Sequence, residues 1–285
     1  MGCSIQSECE IGTIQMIKAA VLGSPISHSL SPAIHKRAYD LLKVDASYVA
    51  VELLPEFAED FLATAHDQGW TGFSLTMPLK EVLFDLKLPF DLELDPIAVR
   101  MKSANTLVSN EDGYFATSTD RTAFMRLFAG VRKDRVAIIG GGGTARAALG
   151  ALDGQCEEIH FLLRNLARAE VLSEVAQGSQ LAFYDMTHSL AGYDLVISTV
   201  PKGATDEIAY AWNYEIPTFC EVLYNPLPTK ILDRAKMSGS VCIDGIDLLV
   251  EQALDQISLF SGLHFDFADM REDLKAVALS HINSN

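Results

Sequence analysis

The chain has 285 residues, 49 % of them apolar, and at about 150 residues per domain that is material for two cores. Lysine and arginine number 22 against 38 aspartates and glutamates, a formal charge of −16, which excludes a surface built for nucleic acid or for an anionic membrane face. Cys3, Cys9, Cys156, Cys220 and Cys242 are too scattered for a disulfide framework or a zinc site, and no apolar run approaches the roughly 18 residues of a membrane helix. A reducing, cytoplasmic setting is expected.

Residues 1–17 carry neither the basic patch nor the apolar stretch of a signal peptide and read as a mobile leader. Gln6 stands where a myristoylation start would carry Ser or Thr. The apolar bursts AAVLG (19–23), SYVAVEL (47–53), GFSLTM (72–77) and ANTLV (104–108) then alternate with helix-like PAIHKRAYDLL (32–42) and PEFAEDFLATAHDQG (55–69). That alternation predicts an α/β fold with a parallel sheet and helices on both faces. Phe57, Phe61 and Leu62 recur at helical spacing and are expected in the core, while His28, His35 and His66 read as capping or surface residues.

The pattern restarts with RVAIIGGGG (135–143), EIHFLLR (158–164), LAFYD (181–185) and DLVIST (194–199). From Asp247 to about His281 the chain reads as helix, expected to pack back on the first unit. The expected organisation is therefore a substrate unit over 18–120 and 246–285, and a Rossmann-type dinucleotide unit over 121–245.

Strand Val136–Ile139 runs into Gly140, Gly141, Gly142, Gly143, Thr144 and Ala145, followed by the helix-forming AALGAL. This is G-x-G-x-x-A between strand and helix, where glycines let the backbone approach a pyrophosphate and the helix N-terminus stabilises its charge. The next strand ends in Arg164-Asn165 with Arg168 one turn on, and no carboxylate waits for ribose hydroxyls. Guanidiniums suit the extra phosphate of NADP, which is the expected cofactor.

The loop after the first strand, GSPISHSLSP (23–32), is dense in hydroxyls, and Ser31-Pro32 reads as a helix N-cap with proline at the first helical position. Loops at the carboxyl ends of strands line the ligand crevice of such sheets, so serines there suit a carboxylate or polyol. Lys80 follows another strand end and is either a surface lysine or a buried amine. Asn105-Thr106 and Thr119-Asp120 add small polar groups at strand ends, completing a polar cleft that faces the dinucleotide.

In order and spacing, GSPISHSLSP at 23–32, SLTMPLK at 74–80, SANTL at 103–107, STD at 118–120, GGGGTAR at 140–146, YNPLPT at 224–229 and DGIDLLVEQ at 244–252 resemble the shikimate dehydrogenase family. The resemblance implies NADP-linked, reversible reduction of 3-dehydroshikimate to shikimate, toward chorismate and the aromatic amino acids. It makes Lys80 and Asp120 the catalytic pair, with Ser29 and Ser31 on the substrate carboxylate and Thr76, Asn105, Asp120, Tyr224 and Gln252 on its ring hydroxyls. It places Gly140 to Ala145, Arg164, Asn165 and Arg168 on the cofactor, with Thr199 and Gly245 near its nicotinamide end. No metal is implied, because a lysine ammonium can itself stabilise a developing alkoxide.

Ser74 stands where family members often have Asn, Ala123 where a Gly often follows the Asn-Thr-Asp motif, and Asp247-Leu248 replaces a common Gly-Met. Two alternatives stay open: a quinate/shikimate dehydrogenase of relaxed specificity, and a catalytically silent NADP-sensing homologue. The expected partner is the small-molecule substrate alone, acting on a monomer or homodimer.

Overall fold

Ile17–Gly23 (IKAAVLG) is buried at all but one residue, as a strand covered on both faces requires. It is β1 of a computed structural model that describes residues 16–284. Of the leader expected over 1–17, residues 1–15 lie outside the described residues, and Ile17 already belongs to the strand. The first unit continues through α1 (Ser31–Leu42), β2 (Ala46–Glu52), α2 (Pro55–Ala65), β3 (Gly72–Leu75), α3 (Leu79–Val82), β4 (Asp91–Leu94), α4 (Pro96–Met101), β5 (Thr106–Ser109) and β6 (Gly113–Thr117). Its strands form one sheet in the order β2-β1-β3-β5-β6-β4.

Strand periodicity decides which helices cover which face. Ala19 and Val21 of β1 join a core with Ile34 and Ala38 of α1, whereas Ala20 and Leu22 point the other way, to Ala58 and Leu62 of α2 and Leu79 of α3. The sheet is mixed rather than parallel as expected, because β5 runs antiparallel to both its neighbours. A hairpin makes the β5–β6 pairing: Asn110 Oδ1 accepts from the backbone N–H groups of Asp112 and Gly113 at 3.1 and 2.7 Å. At φ +155° with Asp91 O only 2.1 Å from a would-be Cβ, position 113 admits only glycine.

After α5 (Thr119–Leu127) comes a second sheet, built from β7 (Arg135–Ile139), β8 (Glu158–Leu162), β9 (Gln180–Tyr184), β10 (Leu195–Ser198), β11 (Thr218–Glu221) and β12 (Val241–Ile243). The order is β12-β11-β10-β7-β8-β9 and every pairing is parallel, as in a doubly wound sheet. The connecting helices are α6 (Gly143–Leu152), α7 (Arg168–Val175), α8 (Asp206–Tyr210) and α9 (Lys230–Met237). Strand order reverses between β7 and β10, the switch point where such sheets bind ligands.

The single C-terminal helix expected over 247–281 is two helices, α10 (Gly245–Ser261) and α11 (Ala268–Ser284). Gly262 ends α10 in the left-handed conformation, φ 67°. As expected, both helices pack back on the first unit: Val250, Leu254 and Ile257 of α10 and Leu274 and Ala278 of α11 share the core of β1 and α1. Two other expectations fail. Phe57 is 57 % exposed on the outer face of α2, and His35 is fully buried rather than superficial.

Candidate active site

β3 is buried throughout and stops at Thr76-Met77-Pro78, where the N–H of Leu79 donates to Thr76 O at 2.8 Å and opens α3. Leu79 anchors that single turn in the core, which turns Lys80 the other way, into the cleft. Its Nζ donates to Asp120 Oδ2 at 2.5 Å and to Thr144 Oγ1 at 3.4 Å. With the Lys80 side chain 16 % exposed and that of Asp120 7 %, Lys80 is the buried amine and not the surface lysine. Asp120 lies in the first turn of α5, capped by Ser118 Oγ, where the helix N-terminus favours a carboxylate.

Asn105 holds the other side of Asp120. Its Nδ2 donates to Asp120 Oδ1 at 3.0 Å, to Thr119 Oγ1 at 2.9 Å and to Gln252 Oε1 at 3.3 Å. Its Oδ1 accepts from the N–H of Thr119 at 2.7 Å and of Asp120 at 3.3 Å. Lys80, Asn105, Asp120, Thr144 and Gln252 therefore form one hydrogen-bonded cluster drawn from α3, the β5 entry, α5, α6 and α10. Such an ammonium–carboxylate pair can move a proton to and from an oxygen while holding a neighbouring hydroxyl.

The serine loop borders this cluster. The N–H of Ser24 donates to Met77 O at 3.0 Å, and a Cβ on Gly23 would fall 2.4 Å from Thr76 Cγ2, so the two strand ends meet closely. Ser29 Oγ accepts from the N–H of Ser31 at 3.3 Å. Ser31 is not the side-chain cap expected of it: α1 begins at Ser31 itself, with Leu30 at the N-cap position. Tyr224 packs against the core of β1 and α1, and burial raises its phenol above the usual range. Among the described residues, Ser29, Thr76 and Tyr224 make no hydrogen bond to the Lys80 cluster.

At the glycine turn, Gly140 has φ +112° and a Cβ there would lie 2.5 Å from Thr199 Oγ1, so only glycine lets β7 and the end of β10 meet. Thr199 Oγ1 donates to Ile139 O at 2.9 Å. Gly142 caps α6 with nothing closer than Glu81 Oε1 at 3.6 Å and Arg168 at 3.8 Å from a would-be Cβ, which leaves the concavity a phosphate needs. Ala145 is buried under the sheet, where it sets the helix–strand distance. Gly143 serves another contact: its missing side chain makes room for Ser103 Oγ at 2.8 Å and Lys80 Cβ at 3.2 Å.

Arg168 reaches over the turn, donating to Gly141 O at 2.9 Å. Arg164 and Asn165 are exposed beside it, and Asn165 Oδ1 accepts from the N–H of Ala167 at 3.0 Å to shape the bend. A Cβ at Gly245 would fall 2.5 Å from Leu223 C, so glycine there seats the start of α10 against the segment leading to Tyr224. A phosphate cradle, two guanidiniums and a cleft beside Lys80 together fit an NADP molecule.

Several participants escape the sequence reading. Arg146 of α6 donates to Glu81 Oε2 at 2.8 Å and Lys102 O at 2.9 Å, tying the glycine-turn helix to the residue after Lys80. Burial depresses that guanidinium, offset by Glu81. Gln256 and Tyr48, joined through Ser74, extend a buried row from Thr106 behind Asn105. The departures noted in sequence are absorbed structurally. Ser74 is bonded to Tyr48 and Gln256, Ala123 is buried, and Asp247 Oδ2 accepts from the N–H of Asp244 in the capping box of α10.

The family model for the shikimate dehydrogenase substrate binding domain matches residues 21–107. The NADP(+) shikimate dehydrogenase of Methanosarcina acetivorans is 32 % identical over 260 residues, 85 % of this chain and 92 % of that protein. The crystal structure of Mycobacterium tuberculosis shikimate dehydrogenase superposes with a TM-score of 0.81 at 28 % identity, over 93 % of this chain and 99 % of that one. That of the Thermus thermophilus enzyme in complex with NADP(H) and shikimate gives 0.79 at 28 % identity, over 92 % and 100 %.

Proposed function

The chain belongs to the shikimate dehydrogenase family, and we propose that it reduces 3-dehydroshikimate reversibly to shikimate with NADPH, on the way to chorismate and the aromatic amino acids. The observation that carries this reading is Lys80 Nζ, 2.5 Å from Asp120 Oδ2 and 3.4 Å from Thr144 of the glycine turn. One ammonium thus stands where the substrate-binding and cofactor-binding faces meet.

When bound, NADPH supplies the hydride. Lys80 Nζ stabilises the negative charge that develops on the substrate oxygen and delivers a proton to it, then withdraws that proton in the reverse direction. Asp120 holds the ammonium and accepts from a substrate hydroxyl, and Asn105 Nδ2 braces the carboxylate. Ser29 and Ser31 take the substrate carboxylate, while Thr76, Asn105, Tyr224 and Gln252 take its ring hydroxyls. Gly140 to Ala145 receive the pyrophosphate, Arg164, Asn165 and Arg168 the 2′-phosphate, and Thr199 and Gly245 border the nicotinamide.

In this reading residues 18–120 with 246–285 bind substrate and 121–245 bind NADP, supported by one sheet running from Ile17 to Thr117 and the other from Arg135 to Ile243. Five scattered cysteines suit a cytoplasmic monomer or homodimer. The test is the absorbance of reduced nicotinamide with shikimate and quinate, each offered with NADP and NAD. Turnover with shikimate and NADP is expected. Faster turnover with quinate makes it the relaxed-specificity enzyme, and silence in all four combinations overturns catalysis in favour of an NADP sensor.

A further inference from the structure

Behind the Lys80–Asp120 pair lies a second row of buried polar side chains that the steps above do not use. Gln256 of α10 is 1 % exposed. Its Nε2 donates to Thr106 Oγ1 at 3.0 Å and to the Asn105 carbonyl at 3.3 Å, and its Oε1 accepts from Ser74 Oγ at 2.7 Å. Ser74 in turn accepts from Tyr48 OH at 2.7 Å. The Tyr48 ring is clamped by His35, stacked on it with centroids 3.8 Å apart.

The direction of every bond in the row follows from the one before it. The Asn105 carbonyl can only accept, so the NH2 of Gln256 is turned to β5, its Oε1 takes the proton of Ser74, and Ser74 is left to accept from Tyr48. Thr106 Oγ1, accepting from that NH2, has its own proton for Asn105 Oδ1 at 3.3 Å or Thr119 Oγ1 at 3.0 Å. That row joins the N–H groups of Thr119 and Asp120, which donate to Asn105 Oδ1 at 2.7 and 3.3 Å, in keeping the Asn105 oxygen toward donors and its Nδ2 toward Asp120 Oδ1. A flipped Asn105 would set an amide oxygen against that carboxylate, leaving buried donors and acceptors mismatched at about 1–3 kcal/mol each. Partly satisfied buried networks are the costly ones, and this row is satisfied from end to end.

We infer that Gln256, locked by Ser74 and Tyr48, is a positioning residue that fixes the Asn105 amide and through it the carboxylate holding the Lys80 ammonium. The inference rests on the proposed roles of Lys80 and Asp120. It also gives Ser74 a part: a hydroxyl fits between Tyr48 and Gln256 as donor and acceptor at once, and is spent on the scaffold instead of on substrate.

The test pairs an activity readout with one independent of activity. Gln256→Leu is expected to lower kcat about tenfold to a hundredfold, the scale of misplacement at a reacting centre, while leaving the KM for NADP within threefold. Gln256→Glu still accepts from Ser74 but regains a donor only when protonated, so its kcat relative to wild type should rise as pH falls. Ile257→Val, a core change one residue on, controls for lost packing and should keep kcat. Hydrogen exchange of the Asn105 side-chain amide, followed by 15N NMR, should be slow in wild type and at least tenfold faster in Gln256→Leu. A folded Gln256→Leu with wild-type kcat and a protected Asn105 amide overturns the inference, as does a kcat of Gln256→Glu that ignores pH. If wild type is silent with shikimate, the functional reading falls while the amide exchange still decides the positioning claim.

Discussion

Lys80 answers two demands at once, because a lysine this enclosed must have a counter-charge and a proton donor to a substrate must keep its proton until the reaction takes it. Asp120 meets the first demand at 2.5 Å, and an exposure of only 16 % at the Lys80 side chain, which limits exchange with bulk water, meets the second. Replacing Lys80 with Met should lower kcat by about a hundredfold to ten-thousandfold, the range for general acid–base groups. The Kd for NADPH, followed by its fluorescence, should stay within threefold, since the proposed phosphate contacts lie at the glycine turn and around Arg164 and Arg168. Full turnover in that variant would remove Lys80 from the reaction. At this scale Lys80, Asn105 and Asp120 were legible as parts of a polar cleft because each sits at a strand or helix end, whereas Gln252, mid-way along α10, was reached only through the DGIDLLVEQ motif. Gln256 was not, since 150 residues separate it from Thr106 and only folding makes them partners. His35 was misread for a related reason: nothing local announces the Tyr48 ring that covers it.

Among the elements, α10 has the most to hold in place, because it carries Gln252 and Gln256 and packs on α5 behind Asp120. Its start is fixed by a reciprocal cap in which Asp244 Oδ1 accepts from the N–H groups of Ile246 and Asp247 at 2.9 and 3.2 Å, and Asp247 Oδ2 accepts from the N–H of Asp244 at 2.9 Å. Asp247 Oδ1 also meets Lys275 of α11 at 2.7 Å. Asp247→Ala should therefore cost about 1 kcal/mol, which lowers the melting temperature by roughly 2–4 °C in a protein of this size. Calorimetry with an unchanged transition would show that the cap contributes nothing. The long elements were legible from periodicity, and the glycine turn from its setting between strand and helix. What escaped were β4, β6, β11 and β12, each of five residues or fewer, and the antiparallel β5, paired to β6 through the Asn110–Gly113 hairpin. β4 (DLEL) and β11 (TFCE) carry charged residues, β6 starts on the glycine of the hairpin and β12 is three residues, so none declares itself without the neighbours that complete its ladder.

Over the whole molecule, two buried titratable groups, His35 on α1 and Glu221 on β11, pull stability in opposite directions with pH. Burial lowers His35 to about 3, opposed in part by the neighbouring Gln256 amide. The unfolded chain therefore binds a proton below 6.5 that the folded one refuses, and this contribution is lost as pH falls from about 6.5 toward 3. Glu221, at the end of β11, is pushed up to about 7 by burial, against hydrogen bonds from the N–H of Leu223 and Thr229 Oγ1. There the folded chain keeps a proton that the unfolded one has released above about 4.5, so stability falls as pH rises from 4.5 to about 7. Between pH 4.5 and 6.5 the two slopes, each about 1.4 kcal/mol per pH unit, have opposite signs and offset one another. Removing either group should expose the other. Relative to wild type, Glu221→Gln should gain stability as pH rises through that window, and His35→Phe, which retains a ring against Tyr48, should lose it. Because the groups sit in separate cores, the double variant should return close to the wild-type slope. Chemical denaturation at three pH values within the window measures all four slopes, and single variants whose slopes change in the same direction would show that at least one of these side chains does not titrate as its burial requires.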